Sequence, residues 1–150
     1  MKGSSVSVGS LLERKGRGVY SIAPDASVYS AIEEMAEKGI GALVVLENGR
    51  LAGILSERDY TRKVILAGRS SRETQTGEIM STELITVGPD DNVGHCLRLM
   101  TEHRVRHLPV VADGRVVGVL SIGDLVKQVI AEQESTIDHL QSYIAGAYPS

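Results

Sequence analysis

Apolar residues in this chain fall into short blocks that switch between helical and extended spacing. Val19 to Ile22 is an extended stretch, ended by Pro24, which cannot donate to a strand ladder. Ser27 suits a helix cap, and Val28, Ile32 and Met35 follow at i, i+4 and i+7, the stripe of one helix face. Gly39 is the expected stop. Ala42 to Leu46 and Leu51 to Leu55 read as aliphatic strands joined through Asn48-Gly49, a hairpin signal because both residues tolerate positive φ. Ser56 then opens a second helix to about Leu66, with Tyr60 and Val64 on one face. Residues 68–77 are polar and read as a linker, with its charges, Arg69, Arg72 and Glu73, in a solvated loop. Glu78-Ile79-Met80 reads as a turn of helix.

The same order then recurs. Leu84 to Val87 is the expected strand, Pro89 its end and Asn92 the cap. Val93, Leu97 and Met100 form the helix stripe. Leu108 to Val111 and Val116 to Leu120 are strands around Asp113-Gly114, and Ser121 to about Ala131 is the closing helix. Setting residues 22–65 over 87–130 needs no gap, and 15 of the 44 positions are identical. This is an internal duplication. The predicted class is α/β (α+β): two β-α-β-β-α repeats about a pseudo-twofold axis, each covering the sheet face that the other leaves bare. The segments are an extension (1–17), repeat 1 (18–67), a linker (68–78), repeat 2 (79–131) and a tail (132–150). The extension is expected to start flexibly, with one helical turn near residues 10–14. The tail carries Ile137, Leu140, Tyr143 and Ile144 among polar residues. It predicts an amphipathic helix that folds back or docks on another subunit.

Composition narrows the function. The 150 residues are 42% hydrophobic, with five Tyr and no Phe or Trp, so the core is aliphatic. A net charge of −3 argues against nucleic-acid binding, which needs a basic face. No apolar run approaches the roughly 20 residues that span a bilayer, so no membrane partner is expected. One cysteine, Cys96, and the lack of an apolar leader after Lys2 favour a reducing compartment, the cytoplasm.

The candidate chemistry lies in Ser-x-x-Asp, found at 56–59 and 121–124 where a strand turns into a helix. A carboxylate there can accept from two hydroxyls, and the serine can meet a phosphate. In the first copy, Arg58 and Arg62 stand one turn apart and offer planar forks to phosphate. The second copy has Gly123 and Lys127 there, so the sites are not equivalent. The same pattern is also a capping box, and both roles are compatible for the serine. His107 suits a ligand contact and a backbone-bonded buried histidine equally. His95, Cys96, His103 and His107 have no shared metal-ligand spacing, so no metal is expected. No catalytic signature is present, and no enzymatic activity is expected.

ITVGPDDNV, RHLPVV and GRVVGVLSIGD, with the partners YSIAPDASV, GALVV and GRLAGILSERD, resemble a tandem pair of cystathionine-β-synthase-type (CBS) domains, a Bateman module, over roughly residues 18–131. The resemblance implies a regulatory homodimer that binds an adenosyl ligand (AMP, ADP, ATP, NAD or S-adenosylmethionine) between repeats and signals to a partner protein. It implies that Asp59 and Asp124 hold ribose and that Ser56, Ser121, Arg58 and Arg62 serve phosphate. His107, Leu108, Pro109, Ala42, Ile22 and Val87 would line the clefts. The alternative is an interaction scaffold with vestigial pockets.

Overall fold

The computed structural model describes residues 6–16 and 18–147. Residues 1–5 of the flexible start expected ahead of residues 10–14, and the Tyr143 and Ile144 side chains, lie outside what is described. Repeat 1 holds β1 (Ser21–Ile22), α2 (Val28–Lys38), β2 (Ala42–Glu47), β3 (Arg50–Ser56) and α3 (Glu57–Tyr60). β1 runs parallel to β2, and β2 pairs antiparallel with β3. Repeat 2 holds α5 (Val93–His103), β4 (His107–Ala112), β5 (Arg115–Ser121) and α6 (Ile122–Ala147). β4 and β5 are antiparallel, with a register shift at Val110/Val111 that matches the one at Val45/Leu46.

Local chemistry sets these boundaries. The Ser30 amide donates to Ser27 Oγ at 3.1 Å, and the His95 amide donates to Asn92 Oδ1 at 2.8 Å. Both hairpins turn through positive φ, at Asn48-Gly49 (52° and 78°) and Asp113-Gly114 (52° and 76°). Val28, Ala31 and Met35 are buried in one core, while Val93, Cys96 and Met100 are buried in the other. The strand expected at Leu84 to Val87 is not formed. A single parallel bridge at Val87 remains: its amide donates to the Pro109 carbonyl, and its carbonyl accepts from Val111. The closing helix of repeat 1 also differs from expectation, because α3 passes into a π-helical stretch over Thr61–Ile65.

The extension is structural. It forms α1 (Val8–Lys15), capped by Ser7, and buries Val8, Leu11 and Leu12 in the core of repeat 2. The segment before repeat 2 does the same for repeat 1: α4 (Thr76–Ile79) buries Ile79 in its core. The correspondence extends to single bonds. Gly9 donates to Pro89 O and Gly77 to Pro24 O; Val8 donates to Asp91 O and Thr76 to Ala26 O; Val93 donates to Val6 O and Val28 to Thr74 O. Each leading segment therefore completes the other repeat, and the halves cannot separate without opening both cores. Two glycines mark the close approach. A Cβ on Gly53 would lie 2.6 Å from Met80 Sδ and 2.8 Å from Ser81 O, and one on Gly118 would lie 2.6 Å from Leu12 Cδ2.

The swap also revises the linker. Its Thr74 and Thr76 are buried, its Ser71 carbonyl accepts from Tyr29 N, and Arg72 stacks 3.8 Å from the Tyr29 ring centroid. Arg69 pairs with Glu78. This is an ordered connection in place of the solvated loop expected. Thr76 Oγ1 is buried without a hydrogen-bond partner, whereas its counterpart in α1 is Val8, equally buried. A stranded hydroxyl costs about 1–3 kcal/mol. Thr76→Val, nearly isosteric, is expected to raise the unfolding free energy by about 1 kcal/mol or more, read as a higher denaturant midpoint with an unchanged slope.

α6 runs unbroken through the expected boundary at residue 131, so the closing helix and the tail are one element. Leu125 and Gln128 face inward, while Ile122, Val126, Ile130, Ile137 and Leu140 are exposed. No helix among the described residues is long and apolar enough to cross a membrane.

Candidate functional site: two clefts between the repeats

Both capping boxes form. The Ser56 amide donates to Asp59 Oδ2 at 3.0 Å and the Asp59 amide to Ser56 Oγ at 3.2 Å. In the second copy, the Ser121 amide donates to Asp124 Oδ2 at 2.8 Å and the Asp124 amide to Ser121 Oγ at 3.2 Å. The local role weighed for these residues is therefore real. It also aims each carboxylate, because a bond from the cap fixes the rotamer and leaves the side chain at the rim of a cleft.

The clefts lie between the repeats, and each draws on both. The first, about 690 Å³, takes Ile54, Ser56 and Asp59 from repeat 1 and Ile85, Arg104, Val105, Arg106 and His107 from repeat 2. The second, about 300 Å³, takes Val119, Ser121 and Asp124 from repeat 2 and Tyr20, Gly39, Ile40, Gly41 and Ala42 from repeat 1. Each of these residues in the second cleft answers one in the first at the spacing of the duplication, so the clefts are related by the pseudo-twofold. Gly41 and His107 border both.

The lining differs sharply in charge. Arg58, Arg62, Lys63, Arg104 and Arg106 surround the first cleft, against Glu57, Asp59 and Glu83. The second has Lys15 and Asp124, already paired at 2.6 Å. Where repeat 1 ends α2 on Gly39, repeat 2 ends α5 on Arg104 at φ 55°, a left-handed conformation that costs a side chain on the order of 1–2 kcal/mol. An arginine kept there despite that cost lines the first cleft.

Several ionisable groups are shifted. Burial first, then the nearby Lys15 charge, lowers the His107 pKa, so the ring stays neutral to lower pH than usual. The unfolded chain takes up that proton first, so stability falls as pH drops from about 6.5 through the folded value. For Asp124, burial acts upward, but hydrogen bonds from Lys15 and Ser121 outweigh it and hold the carboxyl below its ordinary value. Burial and the Asp91 charge push the Cys96 thiol up to about 11, so it is a core residue and a poor nucleophile. No group of three His, Cys, Asp or Glu among the described residues is arranged to hold a metal ion.

The expected site residues thus divide. Ser56, Arg58, Asp59, Arg62, His107 and Pro109 meet at the first cleft, and Ser121, Asp124, Ala42 and His107 at the second. Leu108 and Val87 are corrections: both are buried in the core of repeat 2, and Ile22 packs against that of repeat 1, so these three side chains line neither cleft. The inward face of a strand goes to the core, and only alternate residues reach the cleft. Residues overlooked from sequence include Lys15, Lys63 and Glu83. Lys15 and Glu83 become visible only once the leading segments are placed, whereas Lys63 lies one helical turn from Asp59 along the chain.

The family model for the CBS domain matches residues 14–65 and 77–131. The chain belongs to the CBS-domain family. It is 46% identical over 129 residues to the mitochondrial CBS domain-containing protein CBSX3 of Arabidopsis thaliana, covering 83% of this chain and 63% of that protein. It therefore spans a little under two thirds of that relative's length. Among solved structures, a CBS-domain protein from Burkholderia ambifaria, described as a candidate signal-transduction protein, superposes with TM-score 0.82. That protein is 49% identical, over 85% of this chain and 96% of its own. A second CBS-domain crystal structure gives TM-score 0.81 at 47% identity, covering 83% and 98%. The duplicated α/β fold, with its C-terminal helix, is thus that of a CBS pair.

Proposed function

We propose that this CBS pair is a regulatory, non-enzymatic sensor of an adenine nucleotide, bound between the repeats and signalled to a partner protein. The first cleft carries the reading. There a capped carboxylate, Asp59, faces a strand of the other repeat inside a ring of five guanidinium and ammonium groups. A carboxylate suits the paired hydroxyls of a ribose, and the cations suit phosphates. Val105, Ile85, Ile54 and Pro109 offer the apolar walls that a base needs. The second cleft repeats the motif on Ser121 and Asp124 with fewer cations. AMP, ADP, ATP, NAD and S-adenosylmethionine are the ligands to try.

The exposed apolar face of α6 supports a homodimer. One buried cysteine fits the cytoplasm. The scaffold reading has an observation of its own, since Asp59 and Asp124 already have ammonium partners in Lys63 and Lys15. A thermal melt against the five ligands separates the two. A ligand at about 100 times its dissociation constant adds roughly 2.7 kcal/mol, an upward shift on the order of 5–10 °C. A shift with at least one ligand is expected. None with any would leave the scaffold, acting through the exposed face of α6.

A further inference from the structure

We propose that Lys15 is an internal occupant of the second cleft and confines nucleotide to the first, so that each chain takes one ligand. The proposal rests on the nucleotide reading above. It starts from where the Lys15 ammonium lies: Nζ donates to Asp124 Oδ2 at 2.6 Å and to the Val119 carbonyl at 2.7 Å. Asp124 is the carboxylate that a ribose in this cleft would need. A ribose hydroxyl could also bond to the charged carboxylate, but as a neutral donor it would not replace the Coulombic attraction that the ammonium adds.

The cation is delivered by an anchored element. Lys15 is the last residue of α1, whose Val8, Leu11 and Leu12 are buried in the core of repeat 2. The helix start is held by bonds to the Asp91 and Pro89 carbonyls, and Arg14 donates to Gln128 Oε1 at 3.1 Å. The backbone of Lys15 is therefore held beside Asp124, and only the rotamers of its own side chain are given up in reaching the carboxylate.

The first cleft lacks this occupant. Counted along the swapped segments, Glu83 stands where Lys15 stands, 68 residues on, and it borders the first cleft. A carboxylate there cannot pair with Asp59. The cation on Asp59 is Lys63 instead, one turn along the same helical run, at 3.1 Å from Oδ1 and also bonded to the Ile79 carbonyl. It approaches from the chain's own side and leaves a cavity of about 690 Å³, against about 300 Å³ in the second cleft. Small-molecule sites run from about 300 to 1,000 Å³, so the second is at the lower limit even before a phosphate is accommodated.

Titration calorimetry of the full chain with AMP, ADP, ATP, NAD and S-adenosylmethionine in turn tests this by stoichiometry. The unaltered chain is expected to take one equivalent of whichever ligand binds. Lys15→Met keeps the apolar stem and removes the charge, and it is expected to take two. Lys15→Gln serves the same purpose should the methionine variant fold poorly. Lys15→Arg keeps a cation and is expected to remain at one. Adding Asp124→Ala to Lys15→Met should return the count to one. Two equivalents on the unaltered chain, or one on both neutral variants, would overturn the proposal and leave nucleotide binding standing. No heat from any ligand with any of these proteins would overturn both.

Discussion

Asp59→Ala is expected to weaken nucleotide binding about 100-fold, measured by titration calorimetry on the full chain. The side chain lines the first cleft, and its carboxylate, aimed by the capping box, can accept from two hydroxyls at once. Hydrogen bonds to a charged partner contribute about 1.5–3 kcal/mol each, and a 100-fold loss corresponds to about 2.7 kcal/mol. The substitution also removes a capping partner, since Asp59 Oδ2 accepts from the Ser56 amide, and it leaves Lys63 without its ion pair. A fall in stability is therefore expected beside the loss of affinity, of about 0.5–2 kcal/mol by analogy with other lost caps. Asp59→Asn separates the two effects. The amide oxygen still accepts from Ser56, so the melting temperature should be largely kept, while the charge for ribose is gone and affinity should still drop at least tenfold. Unchanged affinity in both variants would remove Asp59 from the site.

Leu12→Ala is expected to destabilise the chain by about 2–4 kcal/mol, read from denaturant unfolding. Leu12 is 2% exposed and belongs to the core of repeat 2, although it precedes repeat 1 in sequence. Its side chain fills the space over Gly118 that a Cβ would otherwise enter. Truncation loses the transfer energy of three carbons and leaves a cavity, which places Leu→Ala substitutions at about 2–5 kcal/mol. A terminal turn lying on the surface would show a few tenths of a kcal/mol. The effect should come as one cooperative transition, because opening α1 exposes Val8 and Leu11 as well. It should also loosen Lys15, so the same variant is expected to bring the ammonium off Asp124.

The features legible in the sequence are those determined by neighbours along the chain. Asn48-Gly49 and Asp113-Gly114 turn as hairpins because two adjacent residues accept positive φ. Ser27 and Asn92 cap because a side-chain oxygen meets an amide three residues on. The stripes at Val28 and Val93 bury because a helix repeats its face every 3.6 residues. The duplication carried the class and the family, and it placed Asp59 and Asp124 at related clefts.

What the sequence could not show depends on groups distant along the chain. The 65-residue register of the repeats does not continue into the leading segments, which correspond at 68, so α1 and α4 were not recognised as copies and their exchange went unseen. Leu84 to Val87 has the composition of a strand, but pairing needs two strands at one spacing, and only Val87 reaches Pro109 and Val111. The tail joined α6 because nothing at residue 131 stops a helix. By itself the sequence determined the hairpins and the capped helices, which follow from local geometry, and the repeat with its two carboxylates, which follows from comparing the chain with itself. Only the tertiary structure decided which leading segment closes which core. It thereby put a lysine on Asp124 and a glutamate at the border of the first cleft, because charge acts through space and the fold chooses what lies within reach.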